Sequence, residues 1–134
     1  MIESKCELAV RYYETDLMGI VHHSNYIRYF ECGRHKLLLD YNIPIEKIEE
    51  AGVMMPVIST ECNYRLPARM GDTLTIVTRI RKMPAVKIEV ECEIFNQRGE
   101  RVCDGMVKLC FVHSQTRKPT RIPQIMAEKF EHCF

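Results

Sequence analysis

The hydrophobic period of this chain changes from helical to two after its long central run, and that change limits the folds open to it. From Asn25 to about Asp40 the pattern is helical: Tyr26, Phe30, Gly33, Leu37 and Tyr41 recur at spacings of three and four, flanked by Ile27, Arg34 and Leu38. From residue 53 onward the period is two. The clearest run is Val86-Lys87-Ile88-Glu89-Val90-Glu91-Cys92-Glu93-Ile94, apolar on one face and charged on the other, as in an antiparallel strand wet on one side. One long helix followed by consecutive strands predicts an α+β domain, an antiparallel sheet curled around a single helix. Gly33 in mid-helix costs about 1 kcal/mol against alanine, so something is expected to pack closely against it.

The remaining elements follow from turn and cap signals. Residues 5–13 read as a first strand, with Cys6, Leu8, Val10 and Tyr12 on one face. A turn from Glu14 to His23 hinges at Gly19, and the Ser24 hydroxyl is expected to cap the long helix. Pro44 opens a short second helix, Ile45 to Ala51, with Gly52 as its C-terminal cap. Residues 53–65 form a strand or a bent pair. Gly71-Asp72 leads into a strand over 73–82, and Pro84 breaks that run. Asn96-Gln97-Arg98-Gly99 is a hairpin turn. Residues 101–113 are more continuously apolar and are expected to be more central. A short helix is expected near Gln124–Glu131, after Pro119 and Pro123.

With 134 residues and no repeat, linker or low-complexity stretch, residues 1–134 read as one domain. A net charge of +1 points to neither nucleic acid nor a membrane surface as partner. No stretch reaches the roughly 20 apolar residues of a spanning helix, and Met1-Ile2-Glu3-Ser4-Lys5 opens no signal-like run. The seven cysteines are scattered, odd in number and without a CxxC pair. This argues against a disulfide framework or a zinc site and for a reducing, cytoplasmic setting. Cys62, Cys92, Cys103 and Cys110 are expected to serve as small buried apolar groups.

The chemistry concentrates between Tyr13 and Tyr26. Asp16 precedes a helix start, where backbone N–H groups are free and the helix dipole is positive. A carboxylate facing such groups is equipped to attack a carbonyl and to polarise it. An Asp shortly before a Gly also makes local turns, and that reading stands beside the catalytic one.

Tyr13, Thr15-Asp16, Gly19-Ile20-Val21, His23, Asn25-Tyr26, Glu31 and Arg34 make the run D-x-x-G-[IV]-V-x-[HY]-x-N-Y-x(4)-E. With the order of elements, this run resembles the hot-dog-fold thioesterases of the hydroxybenzoyl-CoA thioesterase type. The resemblance implies a sheet wrapped around the central helix, subunits paired edge to edge as homodimers and often homotetramers, and an acyl-CoA bound between protomers. It implies that Asp16 is either nucleophile or general base and that the His23 N–H polarises the thioester oxygen. Gly19, Ile20, Val21 and Tyr26 would line the substrate site, although core packing explains Ile20, Val21 and Tyr26 equally well. Arg81, Lys82 and Lys87, with Arg79 beside them, would meet the CoA phosphates; a solvated hairpin tip is the alternative. Arg117, Lys118 and Arg121 form a second basic group.

Two positions depart from the family. His22 replaces its usual aromatic residue, and Met83-Pro84-Ala85 stands where a Ser or Thr is usual. Adjacent histidines seldom chelate one ion, so His22-His23 predicts no metal, and the reaction implied needs no cofactor. Glu31 and Arg34 are expected to pair on one helix face, with Glu31 as a second acid–base group the alternative. The expected activity is hydrolysis of an acyl-CoA to acid and free CoA. The alternatives are an acyl-carrier-protein thioesterase, a non-catalytic acyl-thioester binder, or a dehydratase of the same fold.

Overall fold

A computed structural model describes residues Met1–Phe134. Strand β1 (Ile2–Ala9) leads through a single 3-10 turn (Tyr12–Glu14) to the long helix α1 (Asn25–Asp40). Then come α2 (Ile45–Glu50), β2 (Val53–Met54), β3 (Val57–Tyr64), β4 (Thr73–Ile80), β5 (Lys87–Phe95), β6 (Arg101–Cys110), β7 (Val112–His113) and α3 (Gln124–Phe130). Five strands form one antiparallel sheet in the order β1-β4-β5-β6-β3, and β2 pairs with β7. No helix is long and apolar enough to cross a membrane.

The first strand lies earlier than its alternation suggested. Pairing of Ile2 with Ile80 extends it toward the N-terminus, and it stops at Ala9. Val10 stays buried, but the chain then bends and Tyr12 is 78% exposed. The run expected over 101–113 divides at Phe111, and its first part, β6, lies inside the sheet between β5 and β3. The middle strand is the strictly alternating β5. The region 53–65 is the bent pair, β2 and β3.

The buried side of α1 packs Tyr26, Tyr29, Phe30, Gly33, Leu37 and Leu38 onto the sheet. Against it lie Leu74 and Ile76 of β4, Val90 and Ile94 of β5, and Val107 of β6. Gly33 is where helix and sheet come closest: an added Cβ would stand 2.7 Å from Ile76 Cγ2 and nearer still to Thr78 Oγ1. The mid-helix glycine is thus explained by close approach, and the loss in helix propensity is offset by packing. Cys92 and Cys103 are buried in this core, while Cys62 and Cys110 are half-buried. Burial pushes the Cys92 thiol up to about 12, which keeps it protonated. All seven cysteines are free.

The outer face of the sheet is covered by ion pairs. Arg79 bridges Glu3 and Glu93, Arg81 grips Glu91, and Arg65 holds Asp104 with two bonds of 2.9 and 3.2 Å. The expected Glu31–Arg34 pair forms at 3.8 Å on α1.

Candidate active site

The segment from Thr15 to Val21 is a tight loop closed on itself. Thr15 and Val21 form an antiparallel bridge, and the Asp16 N–H donates to the Ile20 carbonyl at 2.8 Å. Gly19 makes the turn with φ +76°, a left-handed conformation that side-chain-bearing residues rarely adopt. Its N–H donates back to the Asp16 carbonyl at 3.1 Å. The loop is tied to the segment before β4: Ile20 bridges Arg69, and the Val21 N–H donates to the Ala68 carbonyl at 2.8 Å.

Within that loop the Asp16 carboxylate is used on one side only. Its Oδ1 accepts the Met18 N–H at 2.8 Å and the Ile20 N–H at 3.4 Å. Its Oδ2 has no hydrogen-bond partner in the chain. The local-turn and catalytic readings of Asp16 are therefore compatible: the turn bonds fix the orientation of the carboxylate and leave one oxygen available. The side chain is half-buried, so its charge is reachable from solvent.

The start of α1 is built differently from expectation. Ser24 stands at the N-cap position, but its hydroxyl caps nothing. Instead the hydroxyl lies 2.9 Å from Nδ1 of the His22 ring, and that nitrogen also accepts the Ser24 N–H at 3.2 Å. The Asn25 and Tyr26 N–H groups bond back to the His22 and His23 carbonyls. The His23 N–H is left without a partner in the chain, at the positive end of the helix.

Asp16 and His23 line one cavity of about 440 Å³, with Ile20, Val21, Tyr26 and Tyr64. Asp16 also borders a wider groove of about 710 Å³ on its other side, with Gly19, His22 and the exposed Tyr12 and Tyr13. It thus stands on a ridge between two hollows. The smaller cavity is aromatic: the Tyr26 and Tyr64 ring centroids are 5.4 Å apart, and the His23 ring lies edge-on to Tyr64 at 6.3 Å. Burial pushes the Tyr26 phenol up to about 12, so it stays neutral.

The structure brings together Asp16, His23, Gly19, Ile20, Val21 and Tyr26. It does not bring Arg81, Lys82 and Lys87 to them within one protomer. Those residues follow the Ile80 end of β4 or open β5, whereas the Asp16 loop sits beyond the Thr73 end, near Ala9 and Asp72. The eight residues of β4 span roughly 23 Å at the ordinary strand rise. Arg81 is held by Glu91, while Lys82 and Lys87 are exposed and in no ion pair. Arg117 and Arg121 are exposed, Arg117 at φ +63°. Glu31 is exposed and borders neither hollow. The His22 and His23 rings are 4.2 Å apart, and no group of three potential ligands gathers there or elsewhere.

Four site residues have no signal in the local sequence: Tyr64, Arg65, Leu66 and Pro67, which wall the smaller cavity from the end of β3. The chain brings them there through the β3–β6 register, which pairs Tyr64 with Cys103.

Residues 10–130 match the model of the thioesterase-like superfamily. The Bacillus subtilis protein named "Putative acyl-CoA thioesterase YneP" is 38% identical over 116 residues, 87% of this chain and 84% of that protein. The Arabidopsis thaliana chloroplastic acyl-acyl carrier protein thioesterase ATL3 is 27% identical over 126 residues, 94% of this chain and 66% of that protein. The crystal structure of the DHNA-CoA thioesterase from Staphylococcus aureus superposes with a TM-score of 0.93 at 28% identity, covering 99% of this chain and 91% of that one.

Proposed function

The chain belongs to the thioesterase-like superfamily, with the hot-dog fold, and from that premise we infer that it is an acyl-CoA thioesterase acting as one domain. It hydrolyses R–CO–S–CoA to a carboxylic acid and free CoA. The observation that carries the reading is the shared cavity lined by Asp16, whose Oδ2 has no partner, and by His23, whose backbone N–H at the helix start is unpaired.

The chemistry follows from these two groups. A thioester oxygen gains negative charge as its carbon becomes tetrahedral. A fixed N–H at the positive end of α1 stabilises that charge, by a few kcal/mol in comparable sites. Asp16 acts by one of two routes. As nucleophile, Oδ2 bonds to the carbonyl carbon, the C–S bond breaks, and the thiolate leaves and takes a proton from water. Water then cleaves the mixed anhydride and restores the carboxylate. As general base, Asp16 takes a proton from a water whose oxygen attacks the carbon; the same C–S bond breaks, and the departing thiolate takes that proton, restoring the carboxylate. Neither route uses a metal or organic cofactor.

Gly19, Ile20, Val21 and Tyr26 form the acyl and thioester end of the site. A second copy completes it as a homodimer, which can pair further into a homotetramer. Strand β3 lies at a sheet edge beside the cavity, and Val57, Ile58 and Tyr64 are exposed along it, as suits an edge awaiting another strand. Antiparallel pairing of β3 with its copy would carry the far end of the second sheet toward Asp16. Lys82 and Lys87 of that copy would then be the free cations for the CoA phosphates, with Arg81 kept on Glu91. Seven free cysteines support a cytoplasmic setting.

The likeness to an acyl-acyl carrier protein thioesterase favours one second reading, a carrier-protein substrate presenting the same pantetheine arm. The test is thiol release from short, medium, long and aromatic acyl-CoAs, with acyl carrier protein thioesters in parallel. Release from one CoA class names the acyl group. Release from carrier protein alone selects the second reading, and release from none overturns both.

A further inference from the structure

Glu14 is the only acidic or basic residue whose side chain the core encloses, at 6% exposure. Every polar group it carries is occupied. Oε1 accepts the Arg11 N–H at 2.8 Å and the Tyr29 hydroxyl at 3.1 Å, and Oε2 accepts the Arg11 guanidinium at 3.2 Å. Its backbone carbonyl accepts the His22 N–H and the Asn25 side-chain amide, each at 2.8 Å. Asn25 is itself buried. The residue lies two positions before Asp16, and the peptide it holds at His22 directly precedes the His23 amide. Tyr29 anchors it to the second turn of α1.

We propose that Glu14 is the positioning residue of this enzyme, holding the Asp16 carboxylate and the His23 N–H at a fixed separation across the thioester carbonyl. The inference rests on the Asp16 and His23 assignment above. The two catalytic groups lie seven residues apart, and their segments meet through the Thr15–Val21 bridge, the Asp16–Ile20 bonds and the contacts of Glu14. The bridge sets the loop's own shape. Glu14 is the link that fixes that loop to α1, on which the oxyanion donor depends. A carboxylate suits the post because it accepts from three donors with no hydrogen of its own to turn away. Burial, and then the Glu14 charge, hold the Tyr29 phenol well above its ordinary range, so the hydroxyl remains a donor. A displacement of about 1 Å between reacting groups can cost up to about a hundredfold in rate, so the link bears on turnover and not only on stability.

The experiment compares Glu14→Gln and Tyr29→Phe with wild type and Asp16→Asn, all well below their melting temperatures. It reads kcat and KM on the best acyl-CoA and the affinity for its non-hydrolysable thioether analogue. Glutamine keeps the shape but turns an amide toward the Arg11 guanidinium; phenylalanine removes the hydroxyl and keeps the ring. The expected result is a kcat lower by about tenfold or more for Glu14→Gln and by a few-fold for Tyr29→Phe, with analogue affinity within about threefold of wild type. A merely structural role would lower the melting temperature and leave kcat of the folded fraction intact, and that result overturns the proposal. So does a parallel loss of kcat and analogue affinity. If Glu14→Gln does not fold, Tyr29→Phe decides, and a kcat within about twofold of wild type overturns the proposal. Asp16→Asn separates the two claims. An inactive Asp16→Asn beside an intact Glu14→Gln sinks the positioning role alone, whereas a fully active Asp16→Asn sinks the assignment beneath it.

Discussion

The arginines at one end of the sheet and the Asp16 loop at the other differ in how completely they use their polar groups. At the end where β4 passes into β5, Arg79 binds two glutamates and Arg81 binds a third with two bonds. At the other end Asp16 Oδ2 and the His23 N–H have no partner, and Tyr12, Tyr13, Leu17 and Met18 are more than 70% exposed. Folding alone favours the first arrangement, because exposed charges lose little by pairing and apolar groups gain by burial. Unpaired groups that converge on a cavity mark the end kept for a ligand. Glu14, two residues from Asp16 and fully bonded, sharpens the contrast: of two neighbouring carboxylates, one is committed to structure and one is held in reserve.

The largest way to break this comparison is to remove the free N–H. His23→Pro deletes that donor, one residue before the N-cap of α1. It should lower kcat by about a hundredfold or more, whereas His23→Ala, which keeps the N–H, should lower it by less than about tenfold. Steady-state thiol release on both variants checks this, and equal losses would assign the role to the ring instead.

A second effect lies between the two ends. Gly33→Ala gains about 1 kcal/mol of helix propensity but drives a methyl into Ile76 and Thr78, an overpacking cost of about 1–3 kcal/mol. A net loss of stability is expected on chemical denaturation, with unchanged or greater stability as the contrary outcome.

Smaller effects belong to the cations and ion pairs of the sheet. Lys82→Ala with Lys87→Ala should raise KM for acyl-CoA a few-fold with kcat unchanged, in the manner of exposed phosphate contacts. Arg81→Ala should leave both constants near wild type. Smallest is the response of stability to acid. The Arg65 guanidinium holds Asp104 below its ordinary value of 3.8, and Arg81 holds Glu91 below 4.5. Both groups are ionised in folded and unfolded chains at neutral pH, where their stabilisation is complete. As the pH falls below these ordinary values the unfolded chain takes up protons first, so stability declines through the acid range. A melting temperature flat from pH 7 to pH 5 and falling below about pH 4 is expected; a fall already between pH 7 and pH 5 would point to other groups.

Much of this was legible in the residues. The span of α1 and the need for a close neighbour at Gly33 follow from periodicity and propensity, because one buried stripe and one missing Cβ leave local traces. The loop around Asp16 was legible as a motif. What escaped depends on partners distant in sequence. Tyr64 and Leu66 reach the cavity only through strand pairing with β6. Glu14 looks like one more acidic residue in a turn until Tyr29, fifteen residues on, arrives beside it. Ser24 has the composition of a cap, but its hydroxyl lies 2.9 Å from the His22 ring nitrogen and bonds no N–H of the first helical turn. The strand expected over 5–13 overran because Tyr12 keeps the alternation after the backbone has turned away.

Hydrolysis by the Asp16 carboxylate, as proposed, is put to the test by Asp16→Asn. Asparagine keeps the turn bond to Met18 and removes the charge. Thiol release should fall by about a thousandfold or more, as on losing a nucleophile or base, while the folded spectrum and the thioether analogue's affinity stay as in wild type. A folded Asp16→Asn that releases thiol at the wild-type rate would contradict the account.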